Sequence, residues 1–102
     1  MHLVLCSCIF INLFRCSLMF WSDWGSFPRI ERAHLDGSQR QAIVSDRIAW
    51  PNGLCVDAAA QRIYWVDARL DRLESSDFAG KSRKLLLLNA PHPFGLALVR
   101  ES

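Results

Sequence analysis

Phe20, Trp21 and Asp23 recur 44 positions later as Tyr64, Trp65 and Asp67. The register continues with two one-residue slips. "RIERAHLDG" (29–37) falls on "RLESSDFAG" (72–80) at an offset of 43, which carries Arg40 onto Arg83 and Ile43 and Val44 onto Leu86 and Leu87. "WPNGL" (50–54) then falls on "HPFGL" (92–96) at an offset of 42. Matches in this order over so long a stretch mark a repeated structural unit, and a unit of this period cannot bury its apolar surface without a neighbour. With 102 residues the chain has room for one small domain and a modest core.

Inside the repeat the pattern is strand–turn–strand. "QRIYWVD" (61–67) is β-branched and aromatic, "RLESSDF" (72–78) alternates, and "SRKLLLLN" (82–89) and "NGLCVD" (52–57) are short apolar runs. Turn residues separate them: Asp57 before three alanines, Asp67–Asp71, Ala79-Gly80 with Asp36-Gly37 as its counterpart, and Asn89-Ala-Pro. Four short strands per repeat of 42–44 residues predict a propeller blade. In "IYWVD" Ile63 and Trp65 point to one face and Tyr64 and Val66 to the other, so both faces are apolar and both need cover. Trp21 and Trp65 are then expected as wedges between blades, each costing about 3–5 kcal/mol if truncated.

These residues resemble the YWTD repeats of the low-density lipoprotein receptor family, the class B repeats. "FWSDWG…PRIERAHLDGSQR…IV" followed by "WPNGLCVD" and "RIYWVDARLDRLES" looks like that family almost throughout 18–99, and "PHPFGLALV" is similar to a strand that recurs in it. The nidogens and the epidermal growth factor precursor carry the same repeat. The resemblance implies an all-β fold in which six such blades close into a propeller, in the ectodomain of an endocytic or signalling receptor. It also implies that Asp23 and Asp67 tie turns and neighbouring blades together and do no acid–base work, with Phe20, Trp21, Tyr64 and Trp65 completing the structural motif. The Thr of the motif is Ser22 in one copy and Val66 in the other, and Val cannot make a hydroxyl hydrogen bond. No EGF-like cysteine pattern follows, and no Asn-x-Ser/Thr sequon is present.

In the family a blade opens on its innermost strand, about a dozen residues before its YWTD. Gly53 leads Trp65 by 12, whereas the same distance before Trp21 is Ile9, in a segment without that strand's signature. The chain therefore divides into an apolar N-terminal segment (1–17), strands two to four of a first blade (18–49), a complete blade (50–89) and the innermost strand of a third (90–102). The expected object is a partial propeller: one whole four-stranded blade and parts of its two neighbours, the remaining blades being absent from this chain. The N-terminal segment has an apolar run (3–14) too short to span a bilayer as a helix. It has the length of a signal peptide, but lacks Lys or Arg before the run and a small–x–small cleavage site. It is read as signal-like or as unrelated residues joined onto a blade, with a helix as an option.

No chemistry is assembled along the chain. His2, His34 and His92 stand in no relation to a nucleophile, no glycine loop would cradle a phosphate, and Asp67 with Asp71 reads as a turn. Cys6, Cys8, Cys16 and Cys55 have the spacing of neither a zinc site nor a disulfide framework, and Cys55 is expected as a small buried residue. Neither cofactor nor metal is implied. A net charge of +2 with dispersed basic residues gives no nucleic-acid footprint.

For binding, "AWPNGL" places Trp50 and Asn52 at the entry to an innermost strand. In similar receptor propellers this face receives short extended peptides from extracellular protein ligands, and an exposed aromatic beside an amide makes a peptide anchor; Asn52-Gly53 equally suits a plain turn. The reading is a non-enzymatic protein-binding module, extracellular or at the cell surface. The alternatives are a nidogen-like matrix protein and a truncated product without independent function. Two unpaired edges and two apolar faces predict aggregation or a molten state for the isolated chain.

Overall fold

The computed structural model describes residues 2–7, by their backbone path, and residues 17–88. Eight strands follow one another: β1 (His2–Ser7), β2 (Ser17–Asp23), β3 (Arg29–His34), β4 (Gln41–Val44), β5 (Pro51–Asp57), β6 (Arg62–Asp67), β7 (Arg72–Asp77) and β8 (Lys84–Leu88). They form two four-stranded antiparallel sheets, β1-β2-β3-β4 and β5-β6-β7-β8, each an up-and-down meander. The all-β propeller-blade expectation holds. Both sheets carry the same irregularity, a register shift after Ile30 in β3 and after Leu73 in β7.

Turn chemistry explains why the strands stop where they do. Asp77 accepts from the amides of Ala79 and Lys81 through Oδ1, at 2.9 and 2.8 Å, and Gly80 adopts φ +83°. Its counterpart turn uses Asp36 Oδ1 for the amide of Ser38 at 2.9 Å and Gly37 at φ +89°. A side-chain carboxylate that satisfies the turn's amides, followed by a glycine in the left-handed region, closes each hairpin, although Gln39 and Ser82 in the same turns also take positive φ, 57° and 52°.

The N-terminal segment departs from the repeat's spacing. The innermost position of the first sheet is taken by residues 2–7, with Leu3 paired to Trp21, where the second sheet pairs Leu54 with Trp65. Repeat spacing had pointed near Ile9; the apolar stretch His2–Ser7 supplies a strand without the Pro-x-Gly-Leu signature. These residues are strand and not helix. Residues 8–16, and the third-blade strand expected within 90–102, lie outside the described residues.

Between the sheets sits the core. Phe20, Ile30 and Val44 of the first meet Leu54, Ile63, Trp65 and Phe78 of the second. The Phe20 and Phe78 rings lie 4.9 Å apart, tilted by 51°. Each such side chain contributes about 1.5–3 kcal/mol by leaving water. Trp65 is fully buried here, while Trp21 lies on the opposite face of its own sheet, nearly buried beneath the Arg40 guanidinium. Cys55 is half-buried, less enclosed than its residue type suggested.

A second repeated device accompanies the tryptophans. Trp21 is paired across the strands with Glu31, and Trp65 with Glu74. Nine residues on, an arginine forks onto each buried carboxylate: Arg40 on Glu31 at 2.8 and 3.3 Å, Arg83 on Glu74 at 2.8 and 3.1 Å. Each guanidinium also lies 5.4 Å from its tryptophan ring. Burial of a carboxylate is tolerated because a bidentate charged partner replaces its water. The two copies differ in what else they hold. Arg83 also donates to the carbonyls of Asp46 and Arg47, both at 2.8 Å, fastening the second blade to the linker that leaves the first.

Candidate functional site

The linker that Arg83 grips at residues 46–47 reaches the second blade at Trp50, and there a carboxylate takes over. Asp67, fully buried at the end of β6, accepts four backbone N–H groups: Ala49 through Oδ2 at 2.8 Å, and Trp50, Arg69 and Leu70 through Oδ1 at 3.1, 3.0 and 3.0 Å. The Trp50 carbonyl in turn accepts from the amide of Ala68 at 2.9 Å. Linker and β6–β7 turn are thus held to one another through a single anion, and the backbone of Trp50 is fixed on both sides. Its ring nevertheless projects into solvent, 44% exposed. A rigid backbone presenting an exposed aromatic loses little entropy when a ligand covers it.

Across the seam stands Trp24, on the β2–β3 turn of the first blade. The Trp24 and Trp50 rings are 5.8 Å apart and inclined by 50°. The turn under Trp24 is pinned from several directions. Asp23 Oδ1 accepts from the Gly25 amide at 3.2 Å, and Arg29 donates to the Phe27 carbonyl at 2.8 Å and to Glu31 at 2.6 Å. Glu31 is held below the usual carboxylate range by the Arg40 fork first, against the opposing effect of its own burial, with Arg29 adding to the lowering. Its charge therefore persists and keeps Arg29 in place.

Together these elements enclose an open cleft of about 440 Å³ whose walls include Trp24, Pro28, Ile48, Trp50 and Arg69. Two indole faces, an apolar floor and one cation make a surface suited to an extended segment with a bulky apolar side chain and a nearby negative charge. Phe27 and Leu70, on the same two turns, are also exposed large apolar residues. Such clustering at one end of the blades is more than scattered surface hydrophobicity.

Of the residues singled out in the sequence, Trp50 lines this cleft and Asn52 does not. Asn52 is an exposed residue at the register shift between Pro51 and Gly53, a bulge inside β5 and not a free turn. Asp67 performs the tying described above. Asp23 holds one amide and an ion pair to Arg29 at 3.4 Å, with its side chain 38% exposed. Phe20 and Trp65 lie in the inter-sheet core, and Tyr64 is half-buried on the far face of β6. The Ser22 hydroxyl is buried with no hydrogen-bond partner among the described residues. Trp24 and Arg69 were not legible as site residues, although one signal existed: Trp24 stands where the second repeat has Ala68.

Comparison with known proteins matches residues 17–58 and 61–98 to the low-density lipoprotein receptor repeat class B. The chain is 48% identical over 85 residues to the vitellogenin receptor Yl of Drosophila melanogaster, covering 82% of this chain and 4% of that protein. It is 44% identical over 78 residues to the sortilin-related receptor of Mus musculus, covering 76% and 3%. Against the low-density lipoprotein receptor-related protein 5-like protein of Homo sapiens the identity is 37% over 83 residues, covering 80% and 33%. Among solved structures, a chain of a nidogen/laminin complex superposes with a TM-score of 0.65 at 33% identity, over 69% of this chain and 26% of that one. The chain thus spans a small part of these relatives.

Proposed function

Since the chain belongs to the low-density lipoprotein receptor class B repeat family, we propose that it is a non-enzymatic binding module of a cell-surface or extracellular protein, which receives an extended segment of a protein ligand on the Trp24–Trp50 cleft. The observation that carries this reading is the aromatic pair, exposed yet mounted on backbone fixed by Asp67 and Arg29. The ligand segment places an apolar side chain against the indoles and an acidic group beside Arg69. Asn52, exposed a few residues further along β5, offers an amide to the segment's backbone. Catalysis has no part in this reading. The likeness to a nidogen chain also accommodates a matrix role, which would use the same cleft.

The test is selection of dodecapeptides from a random displayed library on the immobilised chain, followed by affinity measurement on W24A and W50A variants. Both residues are more than a third exposed, so the fold should survive either change. Loss of about 10-fold or more in affinity for each variant is expected, with the anionic peptides weakened further by R69A. Selected peptides that bind both tryptophan variants as tightly as the parent chain would place the site elsewhere.

A further inference from the structure

The seam between the two blades has a leading side and a trailing side. The leading side belongs to the second blade: Trp65, Phe78, Gly80 and Arg83. The trailing side belongs to the first: Phe20, Ile30, Ile43 and Val44. Phe78 stacks on Phe20, Gly80 comes so close to Ile43 that an added Cβ would collide with its carbonyl, and Arg83 grips the linker after β4.

Both sides occur a second time, and among the described residues both are largely exposed, with Trp21 sheltered by Arg40. The first blade carries the leading set at the same repeat positions, as Trp21, Leu35, Gly37 and Arg40. Leu35 is 47% exposed where Phe78 is 8%, and the Arg40 side chain is 60% exposed where that of Arg83 is 12%. Gly37 keeps the positive φ of Gly80 but has nothing within 4 Å of where a Cβ would sit. The second blade carries the trailing set as Tyr64, Leu73, Leu86 and Leu87. Leu87 pairs with Leu73 as Val44 pairs with Ile30, yet Val44 is 3% exposed and Leu87 47%.

The two open faces are therefore the two halves of the seam that the molecule already makes within itself. We propose that a second copy of this chain docks head to tail, the leading face of its first blade on the trailing face of the other copy's second blade. The contact is heterologous: each copy offers a different face, so growth continues until a ring closes or a filament forms. Leu35 of one copy takes the place of Phe78 against Tyr64 of the other, and Gly37 that of Gly80 against Leu86. One bond of the internal seam is not reproduced. Arg32 donates to the Phe78 carbonyl at 2.6 Å, and its repeat counterpart is Ser75. Together with the lost translational freedom of separate chains, this makes the seam between copies weaker than the one within.

The experiment is sedimentation velocity on the full chain and on L35D and L87D, alone and mixed. Both leucines are exposed in the monomer, and an unchanged near-ultraviolet signal from the tryptophans verifies that each variant is folded. The parent chain is expected to grow in whole multiples of its mass as concentration rises. Each variant alone should lose association about 10-fold or more. Mixed in equal amounts, the two should form a dimer that grows no further, since L35D retains a sound trailing face and L87D a sound leading one. Three results would overturn the proposal: a parent chain monomeric throughout, association of L35D undiminished (as pairing along the exposed β8 edge would give), or a mixture that stays monomeric.

Discussion

Replacing Asp67 by alanine removes one side chain and releases four backbone donors. Those of Arg69 and Leu70 belong to exposed turn residues and can recover a water each, so their loss is small. Those of Ala49 and Trp50 lie at the seam, where their only acceptor among the described residues is this carboxylate. A hydrogen bond to a charged group is worth about 1.5–3 kcal/mol net, and two of them give about 3–6 kcal/mol. Water entering through the open cleft offsets part of that, so about 3–4 kcal/mol is the expected loss. Asp23 supplies the control. It holds one amide at 3.2 Å and a partly exposed ion pair, and D23A should cost about 1 kcal/mol or less. Asp67→Asn keeps an oxygen for three of the four amides and sets a donor against the fourth, and should fall between. Urea unfolding followed by tryptophan fluorescence at low protein concentration measures the differences. Hydrogen exchange locates them: the amides of Ala49 and Trp50 should exchange about 100-fold faster in D67A, at 1.4 kcal/mol per decade. If D67A and D23A destabilise equally, or those two amides keep their protection, the carboxylate is not what joins linker to turn.

Gly80→Ala should be far costlier than Gly37→Ala in urea unfolding. Both add a Cβ at positive φ, about 1–2 kcal/mol, but only at Gly80 does it meet the Ile43 backbone, adding about 1–3 kcal/mol of overpacking. Arg83→Lys keeps the charge and loses the fork and the two linker carbonyls. It should destabilise by about 2–3 kcal/mol, and more than Arg40→Lys, since Arg40 grips no linker carbonyl among the described residues. Acid should also weaken the fold through Glu31. Its folded pKa lies below the unfolded one, so its contribution is complete above the ordinary glutamate range and is lost as pH falls through that range to the lowered folded value. Unfolding measured against pH should lose part of this acid-side slope in R40A.

Much of the architecture could be read along the chain, because its causes are local. Alternation in "RIYWVD", the Asp-led turns ending at Gly37 and Gly80, and the recurrence of Trp, Glu and Arg at matched spacing each depend on neighbours in sequence, and repetition doubled every signal. The innermost strand of the first blade was not readable in this way. Any apolar stretch of the right length can add its backbone to the free edge of β2, so hydrogen bonding and not a signature placed residues 2–7 there. Nor could the cleft be read: Trp24 and Trp50 are 26 positions apart and meet because the linker and the β2–β3 turn converge at the seam. The repeats assign Arg40 and Arg83, and likewise Asp23 and Asp67, identical roles. Among the described residues folding separates them, since Arg83 and Asp67 meet the linker from the first blade whereas Arg40 and Asp23 meet no described counterpart. What a side chain is worth depends on what stands opposite, and no pattern within one strand encodes that.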